Sequence, residues 1–286
     1  MVEVTGGNIK SMINEALDRL GDQLDAGMSD GLKRYLAAMA RFHRYSAGNL
    51  LLILSQRPDA THVAGYGTWK SLGRQVRRGE KGILILAPIV RRDKQTGENQ
   101  LRREEDAIVA FRTAHVFDIS QTDGGELPRP SRVEGDPEDY LEKLEEFVLD
   151  RGIRMQYSDR LGGAEGLSTG GQVTILASLS AAERFATLAH ELAHEMLHWK
   201  NGEAKSRVIR ETEAEAVAFV VCRAIGLKAG TASSDYIQLY NGDRNRLLDS
   251  LQRIQHTSAE IIEGLQKTAM RDHRFVTPGT GRMRAA

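Results

Sequence analysis

The chain has 286 residues, 41% hydrophobic and 27% charged, with a formal net charge of zero. That length leaves room for two domains, and the composition is that of an ordinary globular protein rather than a fibrous or low-complexity one. No apolar run approaches the roughly 20 residues of a membrane span, the N-terminal stretch lacks the apolar core of a signal peptide, and Cys222 is the only cysteine. An internal disulfide is therefore excluded, and a cytoplasmic protein is expected.

The zero charge hides an asymmetry. From Lys33 to Arg103 there are 15 Lys and Arg against four acids, a surplus of +11 that the rest of the chain balances with −11. Two units with different partners are expected, the first facing a polyanion.

In chain order, Asn8 to Leu24 predicts an amphipathic helix on Ile9, Met12, Ile13, Leu17, Leu20 and Leu24. A second helix runs from Gly31 towards His43 on Leu32, Leu36, Met39 and Phe42. Ser46 caps a third, and Pro58 stops it. Beyond Pro58 the glycines Gly65, Gly67, Gly73, Gly79 and Gly82 argue for turns and short strands. Ile83–Val90 and Ala107–Phe117 read as a hairpin around a long basic loop, Arg91–Glu105. Ser120 onwards, with Gly124, Gly125, Pro128, Pro130 and Gly135, reads as a linker.

An acidic helix is expected from Asp136 or Pro137 to about Arg151. Strands follow at Ile153–Ser158 and Gln172–Ala177, with a glycine-rich turn region, Gly162–Gly171, between them. Three helices complete the chain: Ser180–Trp199, about Arg207–Ile225, and Asn245–Lys267. Cys222 lies in the apolar run of the middle one, a core position. The expected division is an N-terminal domain over 1–119, a linker over 120–136, a second domain over 137–267 and a disordered basic tail over 268–286. The fold class expected is α+β.

The chemistry is concentrated in His190-Glu191-Leu192-Ala193-His194. Residues four apart on a helix share a face, so His190 and His194 can point two imidazoles at one metal ion. Glu191 can reach a water beside it. Ser180 and Glu183 form a capping box at the helix start. The next helix presents Glu211 and Glu215, again four apart, as candidates for a third ligand. His198 continues the series but lies one turn too far along the axis to be a ligand, and is read as a wall residue. Glu213 points away by helical phase.

In the basic segment, cations are interleaved with rings and amides. Arg41, His43, Arg44, Tyr45 and Asn49 form one cluster. Tyr66, Trp69, Lys70, Arg74, Gln75, Arg77, Arg78 and Lys81 form another. A groove for single-stranded nucleic acid needs both charges for phosphates and rings for bases. Trp69 suits a core position as well as a base platform; His62 and His115 are read as structural.

Two resemblances bear on these motifs. Residues from about 9 to 120 resemble the N-terminal single-stranded-DNA-binding domain of ArdC-type antirestriction proteins. The matching pieces are Phe42-His43-Arg44-Tyr45-Ser46-Ala47-Gly48-Asn49, Gly65-Tyr66-Gly67-Thr68-Trp69-Lys70, Gly73 to Gly82, and Val116-Phe117-Asp118-Ile119-Ser120-Gln121. Residues from about 137 to 267 resemble ImmA/IrrE-like zincin domains, through the His190–His194 motif and Glu211-Thr212-Glu213-Ala214-Glu215. This resemblance implies a gluzincin-like fold with one zinc per chain on His190, His194 and Glu211, and Glu215 bracing a ligand histidine.

It further implies Glu191 as the catalytic base of a metallopeptidase, with a protein substrate and single-stranded DNA as partners. The strand Gln172–Ala177 would hold an extended substrate by edge pairing. The biological role implied is protection of DNA belonging to a mobile element. The alternative expectation is a DNA-binding shield whose zincin unit is only structural or regulatory.

Overall fold

The computed structural model describes residues 6–91, 107–125, 136–137, 139–199, 206–227, 239–240 and 242–272. The chain divides into two compact units, Met1–Arg129 with Gly242–Arg244, and Pro130–Asn241 with Asn245–Ala286.

The first unit opens with three helices, α1 (Gly6–Asp25), α2 (Asp30–Arg41) and α3 (Ala47–Gln56). The Ser46 hydroxyl accepts the Asn49 backbone N–H at 3.3 Å, the cap expected for α3. Strands β1 (Val63–Gly65), β3 (Ile83–Arg91) and β4 (Ala107–Asp118) form an antiparallel sheet in the order β1-β4-β3. The β3–β4 hairpin is as expected; its loop lies outside the described residues. Ile9 of α1, Leu52 of α3 and Leu84 of β3 meet in a core cluster joined by Met12, Ile13 and Leu86.

Two elements differ from expectation. Tyr66–Ser71 forms a short helix, α4, where only turns and strands were foreseen. Residues placed in the linker, from Ser120, complete a 3-10 turn, Ile119–Gln121, and form strand β5 (Thr122–Gly124), which pairs antiparallel with β2 (Arg74–Val76). Backbone pairing and the Asp118 capping box bind this stretch to the unit despite its polar composition. Residues 126–135 of the expected linker lie outside the described residues.

In the second unit, α5 (Tyr140–Asp150) precedes a sheet in the order β6-β8-β7. β6 (Arg154–Ser158) runs parallel to β8 (Gln172–Leu176), and β7 (Gly166–Ser168) antiparallel to it. β8 is thus hydrogen-bonded on both sides, which corrects the expectation that it offers a free edge; β7 is the edge strand beside the next helix. That helix, α6 (Ala181–Leu197), begins with the expected capping box, the Glu183 carboxylate accepting the Ser180 N–H at 2.8 Å. It buries Phe185, Leu188, Ala189 and Leu192.

α7 (Arg207–Ala224) is buried along most of its length, with Ala214, Ala216, Val217, Val220 and Cys222 fully enclosed. Small side chains let it lie closely against α6. The last helix, α8, spans Arg244–Asp272 and so enters the stretch expected to be a disordered tail. Residues 273–286 of that stretch lie outside the described residues.

Candidate metal centre and nucleic-acid interface

α6 carries His190, Glu191 and His194; α7 carries Glu211, Glu213 and Glu215. The Nε2 atoms of His190 and His194 lie 3.1 Å apart. Glu211 Oε2 stands 3.5 Å from the first and 3.4 Å from the second. Ligands around a tetrahedral cation with bonds of about 2.0–2.1 Å are separated by roughly 3.3–3.4 Å. The triangle has the size such a cation needs, and two imidazoles with a carboxylate are the donors it takes. Glu215 Oε2 lies 3.6 Å from Nδ1 of His190, on the ring edge opposite the cluster.

The protonation states suit the same reading. Burial, then the neighbouring His190, pushes His194 down to about 4, so its ring is neutral as a ligand must be. His190 is also opposed by burial, but the carboxylates of Glu215, Glu191 and Glu211 raise it. Glu191 is raised by burial and by the charges of Glu211 and Glu195, against the pull of His190, which makes its carboxylate a stronger base.

β7 approaches α6 so closely at Gly166 that a Cβ there would stand 2.6 Å from Thr187 and 2.7 Å from the Glu191 side chain. A side chain at this position would have to displace Thr187 or Glu191. Buried Glu195, one turn along, ties the β7–β8 turn to the helix. It accepts the Ser168 hydroxyl at 2.7 Å and the N–H groups of Gly170 at 2.9 Å and Gly171 at 2.6 Å. A cavity of about 360 Å³ opens beside His190 and Glu191, walled by Gly166, Thr187, Ala218 and Phe219, with Cys222 at its base. Burial pushes the Cys222 thiol up to about 12, so it is unreactive there.

Two residues take places that the sequence did not foretell. His198 is not a wall residue: its ring is enclosed between His194 and Glu213. Glu213, which does turn away from the cluster, is fully buried and is met by Ser250 and Arg253 of α8. The i, i+4 spacing from His194 to His198 was the signal in the sequence; the partnership with Glu213 and α8 left none.

The N-terminal candidates divide into two groups. Trp69 is a core residue, 1% exposed, donating its indole N–H to the Phe117 carbonyl at 2.8 Å, so it is not a base platform. Tyr45 packs edge-on against Phe42 and donates its hydroxyl to the Val63 carbonyl at 3.1 Å. Arg41 reaches the Ala60 carbonyl at 3.4 Å, and His43 is half-buried.

Asn49 exchanges two hydrogen bonds with the Leu86 backbone, at 2.7 and 2.8 Å, and Gln56 two with Leu84, both at 2.9 Å. These amides, two helical turns apart, clamp the outer edge of β3. Arg74 binds Thr122, Gly124 and Gly125, joining β2 to β5. Arg77 pairs with Glu80 at 2.8 Å.

The side chains of Arg44, Lys70, Arg78 and Lys81 are exposed and form no hydrogen bond or ion pair among the described residues. Tyr66, 50% exposed, bonds Gln75 through its hydroxyl at 2.6 Å and keeps a ring face towards solvent. These residues can meet a polyanion without unbuilding the fold.

Fold and site together define a two-unit α+β protein whose second unit carries a two-histidine, one-glutamate cluster of the kind that holds a divalent cation. Residues 8–117, within the first unit, match the model of the N-terminal domain of the anti-restriction factor ArdC. The structure is similar to the metal-free crystal structure of the antirestriction protein ArdC from plasmid R388, with a TM-score of 0.53 and 22% identity over 91% of this chain and 98% of that one. Its Mn(II)-bound structure gives 0.53 and 20% over 90% and 98%. The chain is also 28% identical over 275 residues to an uncharacterized protein of Bacillus anthracis, pXO2-81, covering 80% of this chain and 46% of that protein. It thus spans about half of that relative's length.

Proposed function

We propose that this chain is an antirestriction protein of the ArdC kind, acting in the cytoplasm to protect the DNA of a mobile element. Its first unit holds single-stranded DNA, and its second is a zincin of the ImmA/IrrE type with metallopeptidase activity. The observation that carries the second half is the convergence of His190, His194 and Glu211 within ligand distance of one another, with Glu191 beside them on α6. For the first half, the support is the ArdC N-terminal match together with the exposed Arg44, Lys70, Arg78, Lys81 and Tyr66.

His190, His194 and Glu211 are the residues that hold the ion, one zinc per chain. When bound, zinc supplies Lewis-acid chemistry, polarising a carbonyl and lowering the pKa of water. Glu191 takes the proton of the attacking water and delivers it to the leaving nitrogen. Glu215 steadies the His190 ring from its far edge. The edge of β7 offers backbone groups to an extended peptide, and the adjoining cavity receives one of its side chains.

The test is mass spectrometry of a cell lysate incubated with the protein, with and without single-stranded DNA, against a Glu191→Gln control. Peptides cut by the native protein and not by the control establish hydrolysis. Zinc and DNA binding without any cleavage would leave the other reading, a DNA shield with a structural metal unit.

A further inference from the structure

The two ligand histidines are backed by different groups. His190 has the Glu215 carboxylate 3.6 Å from its Nδ1. Among the described residues the partner of His194 at that position is not a carboxylate but a ring: its Nδ1 lies 3.1 Å from Nδ1 of His198. Nε2 of His198 in turn lies 3.1 Å from Glu213 Oε2. The Glu213 carboxylate is wholly buried, and its other oxygen accepts from Ser250 Oγ at 2.7 Å and from Arg253 at 2.5 Å.

We propose that His198 and Glu213 are positioning residues for His194, a relay that fixes which nitrogen of His194 is bare and where it points. The inference rests on reading His190, His194 and Glu211 as a metal site. Proton counting supports it. Two ring nitrogens 3.1 Å apart share one hydrogen. Glu213 faces an arginine and a hydroxyl donor, so it is an acceptor. His198 must then carry its hydrogen on Nε2 to meet it. With one hydrogen between the two Nδ1 atoms, a His194 that keeps Nε2 for the ion carries its hydrogen on Nδ1 and donates it to Nδ1 of His198, leaving its Nε2 lone pair facing His190 Nε2 and Glu211. That is the tautomer a metal ligand requires.

Burying the Glu213 carboxylate to hold one ring is costly to stability. Packed apolar side chains would fill the same volume more cheaply. What they cannot do is choose a tautomer. The relay also makes the ligand geometry depend on α8, through Ser250 and Arg253, as well as on the motif helix.

The experiment compares full-length native protein with His198→Leu, His198→Gln and His194→Ala. Zinc affinity is measured by competition with a chromogenic chelator, and folding is checked by circular dichroism. Leucine fills the space but ends the relay, whereas glutamine keeps one acceptor and one donor. His198→Leu should bind zinc 10–100-fold more weakly, the usual effect of losing a partner behind a ligand. His198→Gln should recover most of that loss.

Nitrogen-15 spectra of native, metal-free protein should show His194 protonated on Nδ1 and His198 on Nε2. Native affinity in His198→Leu would overturn the proposal. So would equal weakening by leucine and glutamine, or a His194 hydrogen found on Nε2. If His198→Leu fails to fold, the glutamine variant and the native tautomers decide. Full zinc retention by His194→Ala would instead bring down the metal-site reading itself, and the relay with it.

Discussion

Asn49 separates a structural role from a binding one. In the sequence it belongs to a basic, ring-rich cluster facing DNA; in the structure its amide grips both polar groups of Leu86 on the outer edge of β3. Asn49→Ala removes two hydrogen bonds. At about 0.5–1.5 kcal/mol each, the unit should lose about 2 kcal/mol. For a unit of this size, roughly 4 °C of Tm accompanies each kcal/mol, so its Tm should fall by about 8 °C.

The chain has two tryptophans, Trp69 in the first unit and Trp199 in the second. In a Trp199→Phe background, Trp69 fluorescence follows the first unit alone. Affinity for a labelled single strand is measured by anisotropy well below both transitions. The expected outcome is a lowered Tm with nearly unchanged DNA affinity. An unchanged Tm with weakened DNA binding would refute the edge clamp and return Asn49 to the DNA surface.

Three other outcomes are expected. Arg78→Ala should flatten the slope of log affinity against log salt by about one, because an exposed cation releases counterions on binding; Arg74→Ala should mainly lower the Tm of the first unit, since Arg74 joins β2 to β5. The purified protein should hold about one zinc per chain by atomic emission. His190→Ala and Glu211→Gln should lose it, Glu191→Gln should keep it, and Glu215→Gln should weaken it roughly 10–100-fold; a larger loss at 215 than at 211 would reverse the ligand assignment.

Asp118 is buried, and although burial opposes its ionisation, hydrogen bonds from Ser120, Thr61 and His62 hold its pKa below the usual value. Its contribution to stability is therefore complete above the unfolded carboxylate pKa and is lost as pH falls below about 4. Denaturant titrations from pH 6 to 3 should show this acid loss in the native protein and a shallower one in Asp118→Asn.

What the sequence determined by itself is what depends on local periodicity and spacing. The capping box of α6, the amphipathic helices and the pairing of His190 with His194 all follow from residues within a few turns of each other, and the two strands of the β3–β4 hairpin are each legible as a short apolar run. The charge surplus from Lys33 to Arg103 was likewise visible as composition. What only the tertiary structure decided is the use made of polar groups by distant partners. Asn49 looks like a ligand for DNA until β3 lies beside it. Trp69 looks like a platform until the Phe117 carbonyl takes its N–H. Glu213 is read only as pointing away from the cluster until Ser250 and Arg253 meet it, about forty residues later in the chain. A buried donor or acceptor must find a partner, and no periodicity records which distant residue the fold brings to meet it.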